Sequence, residues 1–350
     1  MKTKLFLLFI VALQSFATIK AAVITVDNNV VLSGKPAQYD DIQTAINDAF
    51  SGDTILVVGS PVEYANITIT KKLTLIGPGF NLVSKQSAQM AGISIVKLGN
   101  NSSNSIIDGF GISSLQFENT NPVQNFVFRN NSMGAVSISS NISNVLIYKN
   151  LFSKMAISSA TNVVISNNIM YGNSSNPTYW GIFSSSSSNL ITVKNNLFLG
   201  TSGFQGQNNN GSVVVYSNNI FYESAITGAN LSTFNNNLTF NCPLNNHTIP
   251  YGSNVGSGNK INQDPLFLNV TGAFSWTNNY TLHSTSPCKN AGTDGTDIGP
   301  TGGSYPFVKM YPLTSMPAMP YIKQMMINGP SSVKPGNSVI NVTVKASKQD

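Results

Sequence analysis

The chain has 350 residues, of which 46 are asparagine, 41% are hydrophobic and only 9% are charged. Its formal charge of +6 falls to +4 without Lys2 and Lys4 (6 − 2 = 4), too little to indicate nucleic acid and weakly suited to an acidic glycan. So few charges exclude a charge-coated helical protein, and short runs of Val, Ile and Phe point to strands.

Residues 1–22 read as a secretory signal: Lys2 and Lys4, an apolar run from Leu5 to Leu13, then the small residues Ser15, Ala17, Ala21 and Ala22. A membrane span needs roughly 18 apolar residues, and Gln14 and Lys20 interrupt this run too early. The expected location is secreted or at the cell surface, with no membrane span. Export permits a disulfide, so Cys242 and Cys288 either pair or sit apart as small buried side chains.

The first predicted element after the signal is a helix over Asp41 to Phe50. Ile42, Ala45, Ile46 and Ala49 share one face, acids stand at its start, and Ser51-Gly52 stops it. Short apolar runs follow in GDTILVV, EYANITIT and KKLTLIGPGF.

From Phe126 onward one phrase recurs: FVFRNNSM, VLIYKNLF, VVISNNIM, ITVKNNLF and VVYSNNIF, with a weaker STFNNNLT. Its second Asn position falls at Asn131, Asn150, Asn168, Asn196, Asn219 and Asn237, in steps of 19, 18, 28, 23 and 18 residues. Such spacing means one solenoid coil per copy. Within a phrase the first and third residues are apolar and the fourth is often polar (Arg129, Ser166, Lys194, Ser217), which is the period of a strand. Inward positions such as Phe128, Ile147, Ile165, Val193 and Val215 are expected to form one apolar column, in coils stacked in a right-handed sense. Asn accepts left-handed backbone, and coils about 4.8 Å apart let its amides pair up the stack. The Asn column is therefore expected to be structural.

The helix, then Gly52 to Ile55, Tyr64 with Ile67 and Ile69, and Leu73 to Gly79 form the opening of a recognisable pattern. Its close is in Asp264 to Phe267, Tyr280 to Leu282, Ser286-Pro287 and Asp297 to Gly299. Over roughly residues 23–300 the chain resembles the pectate-lyase-like superfamily of right-handed parallel β-helices, of the secreted bacterial type. The resemblance implies an all-β solenoid with an N-terminal capping helix. It also implies action on acidic polysaccharides, by lyases that use calcium and an Arg or Lys base or by hydrolases that use several Asp.

Residues 301–328 are Pro- and Met-rich and read as a linker or strap. Residues 329–350 alternate as a strand without a partner and read as the start of a further β-domain.

Acids that converge on one sheet face are scarce. Between Thr54 and Gln263 stand Glu63, Asp108, Glu118 and Glu223, and the hydrolase phrases Asn-Thr-Asp, Gly-Asp-Asp and Gly-His-Gly are missing. A metal-independent lyase needs a base and a cation beside the uronate, for which Lys149, Lys154, Lys194 and Arg129 are the candidates; Glu223 is a further catalytic candidate with no assigned role. Arg129 and Lys194 share the fourth strand position about three coils, or ~14 Å, apart. No cofactor is indicated: Asp294 and Asp297 among Gly292, Gly295 and Gly299 offer calcium too few acids, and a turn is the simpler reading. His247 and His283 have no ligands in register.

The coils that end at Asn196 and Asn219 exceed the 18-residue step, so their extra residues are expected to emerge side by side from one corner. They carry Tyr179, Trp180 and Phe183, then Phe204, Gln205 and Gln207. Aromatic rings with amides suit the face and hydroxyls of a sugar; alternatively Trp180 pins its own loop. The sequence thus points to a polysaccharide-binding β-helix module without an evident catalytic site, the alternatives being a lyase on an acidic glycan and a structural or adhesin stalk.

Overall fold

The computed structural model describes residues 21–29, 37–80, 89–139, 141–172, 181–184, 189–200, 205–208, 213–226, 229–242, 248–270, 274–308, 310, 313, 320–328 and 341–348. The helix spans Ile42–Asp48. Asp41 lies outside it as the N-cap, its carboxylate accepting from the Thr44 amide, and Ile42, Ala45 and Ile46 are buried.

The rest is a parallel β-solenoid. Each coil gives one strand to a ten-stranded sheet that begins at Val23–Val26 and ends at Thr233–Asn235. It gives another to a second sheet that runs from Ile67–Ile69 to Leu238–Phe240. Neighbours within both sheets pair parallel and in step: Arg129 beside Tyr148, Tyr148 beside Ser166, Ser166 beside Lys194. Arg129 and Lys194 therefore do lie three coils apart in one row.

Alternation puts Phe128, Ile147, Ile165 and Val193 in one inward column, each fully buried. The next member is Tyr216 and not Val215, because Val193 pairs with Tyr216 while Val215 pairs with the outward Thr192. A period of two makes a one-residue offset a change of face: Tyr216 is the third residue of its phrase, three before Asn219, as Phe128 is three before Asn131, and Val215 is the second. From the second sheet Met133, Phe152, Met170, Phe198 and Phe221 join the same core. Rings stack coil on coil, Tyr216 on Phe234 and Phe198 on Phe221, each at 4.7 Å. Burying each such side chain contributes about 1.5–3 kcal/mol.

The second sheet is also apolar on part of its outer face. Leu151, Ile169, Leu197, Ile220 and Leu238 form an outward column, buried with Tyr280, Leu282, Ile298, Phe307 and Leu313 of the C-terminal segment. Cys242 and Cys288 are both free and buried, in different clusters. Pro320–Asn328 pairs antiparallel with Asn341–Lys348, so the last strand finds its partner in the stretch that the sequence reads as a linker or strap.

Candidate functional site

The chain turns from the first sheet to the second at the Asn pairs, whose two members differ in duty. The second member is buried and forms a ladder: Asn131, Asn150, Asn168, Asn196, Asn219 and Asn237 each donate Nδ2 to the next Oδ1 at 2.9–3.1 Å. The same Oδ1 accepts the preceding rung's backbone amide, as at Asn168 from Asn150 and at Asn196 from Asn168. Asn259 is a further rung, hidden from the sequence because its surroundings, GSGNKI, lack the apolar frame of the phrase.

The first member has left-handed backbone, with φ of 51–58° at Asn130, Asn167, Asn195, Asn218 and Asn236. At Asn167, Asn195, Asn218 and Asn236 its side chain points outward and holds the C-terminal segment. Asn236 Nδ2 donates to Ala291 O, Asn218 to Thr293 Oγ1, Asn195 to Asp297 O, and Asn167 to Pro300 O and Gly302 O. Further along this segment, the strap, Tyr305 stacks on Tyr148.

Beyond the strap lies the polar cluster that holds the chain's single arginine. Asp108 has a side chain 2% exposed and accepts from Arg129 Nε and Asn130 Nδ2, both at 2.6 Å. Arg129 also donates Nη1 to the Tyr148 hydroxyl at 2.9 Å. Burial pushes the Asp108 carboxyl above its usual range, against the bonds from Asn130 and Arg129. Lys149 follows Tyr148 and belongs to the same cluster; burial first, then the Arg129 charge, lower its ammonium.

Lys194 and Glu223 do not join Arg129 and Lys149. Lys194 lies where the strap passes: burial works against it, but Thr296 bonds and the Lys194 charge hold the Asp294 carboxyl below its usual range. Glu223 follows Ile220–Tyr222 of the second sheet, four rungs along the ladder, and accepts from Asn241 at 3.5 Å. Asp297 accepts from Lys289 Nζ, the Asn290 amide and Thr301 Oγ1, which is turn chemistry. Among the described residues no three His, Cys, Asp or Glu side chains gather.

Tyr179, Trp180 and Phe204 lie outside the described residues. Phe183 is in strand Gly181–Ser184, and Gln205 and Gln207 are in Gln205–Asn208; these strands pair, Phe183 beside Asn208 and Ile182 beside Gln207, on the flank of Leu151–Ile157. The oversized coils thus lengthen the second sheet sideways.

Where the strap leaves the second sheet, its outer face becomes a groove of about 370 Å³, lined by Glu63, Met90, Gly92, Gly111, Ser113, Ser132, Gly134 and Tyr171 among others. The column that reads Leu151, Ile169, Leu197 under the strap reads Gly92, Gly111, Ser132 here. Neither Gly92 nor Gly111 is forced by the fold. A Cβ at Gly92 would meet Glu63 Cγ at 3.5 Å and one at Gly111 the flexible end of Met90 at 3.3 Å, with Gly92 Cα in ordinary contact at 3.8 Å, whereas at Gly134 it would strike Ser113 O at 2.6 Å. Glycine inside a strand weakens it and is expected where something approaches the backbone closely. Tyr171 closes one end, stacked at 4.3 Å on Phe274, which in turn meets Trp276, 39% exposed. The sequence carries no signal for this site, since its floor is an absence of side chains at Gly92 and Gly111, in coils that precede the clear phrases.

No protein-family model matches the chain, and no curated protein matches it.

Proposed function

We propose that the protein is an exported carbohydrate-binding module that holds an extended polysaccharide across its coils without cleaving it. The observation that carries this reading is the open groove over Gly92, Gly111 and Ser132, with Tyr171 at its end. A floor of backbone and small side chains admits a flat ring, an aromatic wall takes its apolar face, and Ser113, Ser132 and Glu63 suit its hydroxyls. The stack is rigid, so binding costs little ordering. Export rests on the Lys2 to Ala22 segment.

Binding is preferred to cleavage because the acids do not converge: Asp108 is engaged by Arg129, Glu118 by Lys97, and Glu63 and Glu223 stand on different coils. The lyase reading keeps one feature in its favour, the lowered Lys149 ammonium beside Arg129. Affinity electrophoresis on a polysaccharide panel tests the proposal, with Gly111→Leu to fill the floor and Tyr171→Ala to remove the wall. Retention of the parent, loss of it by more than tenfold in Gly111→Leu at unchanged melting temperature, and no unsaturated product support it. Equal retention of parent and both variants overturns the groove, and unsaturated product makes the protein a lyase.

A further inference from the structure

The strand Val23–Val26 opens the first sheet with Val23 beside Thr54, and the residue before it is fixed as well. The Ala22 amide donates to Asp53 Oδ1 at 2.7 Å, and the Ala22 carbonyl accepts from the Thr54 amide at 2.9 Å. Asp53 Oδ2 accepts from the Phe50 amide at 2.8 Å. Asp53 is 2% exposed, and among the described residues no cation pairs with it, whereas the equally buried Asp108 has Arg129. A buried carboxylate is costly without an opposite charge. What Asp53 lacks is a compact cation where the Ala22 nitrogen stands.

Ala22 closes the signal-like segment, in which Ala17, Ala21 and Ala22 each offer the small residue that a signal peptidase needs before its cut. The three cuts have different consequences. A cut after Ala22 removes the residue that bonds Asp53 and Thr54, and leaves the carboxylate only the Phe50 amide among the described bonds. A cut after Ala17 has the better small-residue pattern, Ser15-Phe16-Ala17, but leaves the Ala22 nitrogen a neutral amide. A cut after Ala21 keeps both bonds and charges that nitrogen. Water divides across the Ala21-Ala22 peptide bond: its oxygen stays on the Ala21 carbonyl carbon, which leaves as a carboxylate, and its two protons join the Ala22 nitrogen as an ammonium. The separation of 2.7 Å already suits a charge-assisted bond. Ala21 and Ala22 are both exposed, so the new end needs no cavity.

We infer that a signal peptidase processes the chain at the Ala21-Ala22 bond, and that the new α-ammonium of Ala22 pairs with Asp53 and fastens the first coil. The inference rests on the export part of the reading above and is independent of what the groove binds.

The full chain is expressed in a host that exports through signal peptides, and the product is read by intact mass and N-terminal sequencing. The expected first residue is Ala22. A start at Thr18 or Val23 overturns the inference and leaves export standing, while a chain neither shortened nor exported overturns both. The pairing is tested on residues 22–350 and 18–350, each with and without Asp53→Asn. The Ala22 start is expected to melt about 2 °C or more above the Thr18 start, and Asp53→Asn to abolish that difference. The cost of the substitution itself falls on both lengths alike, and the comparison of the two lengths stands even where the variant does not fold. Equal melting of the two unsubstituted lengths, or a difference that survives Asp53→Asn, overturns the pairing.

Discussion

Tyr305 stacks on Tyr148 with ring centroids 4.2 Å apart and planes 24° from parallel, and this contact belongs to a segment that runs backward along the stack. Residue numbers rise from Ala291 through Thr293, Asp297 and Gly302 as the coils that hold them fall from Asn236 through Asn218 and Asn195 to Asn167. The outward Asn residues are thus fasteners for a strap that buries the apolar outer face of the second sheet. Where it stops, the groove begins.

Asn167→Gly tests the fastening, since glycine keeps the left-handed backbone and deletes only the amide. Three bonds are lost: Nδ2 to Pro300 O at 3.1 Å and to Gly302 O at 2.6 Å, and the bond that Oδ1 accepts from Ser166 Oγ at 2.6 Å. The expected cost is about 1 kcal/mol per bond, with faster hydrogen exchange confined to peptides of the strap near Gly302. Unchanged exchange there contradicts the assignment.

Asn168→Ala tests the inner ladder. Asn168 Nδ2 donates to Ile147 O, Ser166 O and Asn196 Oδ1, and its Oδ1 accepts from Asn150, all buried. Each buried group left without a partner costs about 1–3 kcal/mol, so denaturant melts are expected to show a loss of several kcal/mol. Glycan affinity per folded molecule stays as in the parent, because the residue touches no surface; a selective loss of binding at normal stability would sink this role.

Ile165→Asp and Val215→Asp test the register together. Ile165 is fully buried and an unpaired charge there costs several kcal/mol or more, whereas the outward Val215 is expected to tolerate the change within about 1 kcal/mol. Comparable losses from both would mean that the faces are misassigned.

Asp108 and Lys149 give opposite pH signatures. The carboxyl is raised in the folded state, so its contribution to stability is present below about 4, the ordinary aspartate value, and is lost as pH rises through the raised value. The ammonium is lowered, so its contribution is present above about 10.4, the ordinary lysine value, and is lost as pH falls through the lowered value. Melting curves of the parent minus Asp108→Asn are expected to decline with pH on the acid side, and those of the parent minus Lys149→Asn to rise on the alkaline side. A flat difference in either case removes that residue from the cluster.

The solenoid was legible because each coil repeats its own evidence: an inward Phe128, Ile147 or Ile165, then an Asn at the corner. The two duties of the Asn pair were not, since Asn167 and Asn168 look alike until their partners, Gly302 and Asn196, are known. The strap has no local signature, being held by residues 135 positions away in the case of Asn167 and Gly302. Of the candidate cations, Arg129 and Lys149 come together because Arg129 pairs with the residue before Lys149, while Lys194 is three coils off. The groove was invisible because Gly92 and Gly111 announce it by lacking side chains, and because Tyr171 and Phe274 meet only in the fold.

The central claim is that a polysaccharide lies in the groove beyond the strap. Hydrogen–deuterium exchange of the full chain, with and without a polysaccharide that it retains, tests this most directly. The account predicts protection of the backbone at residues 90–93, 111–114 and 132–134, with the strap unchanged and the polysaccharide intact. Protection elsewhere with none at Gly92, Gly111 and Ser132, or a shortened polysaccharide, contradicts it.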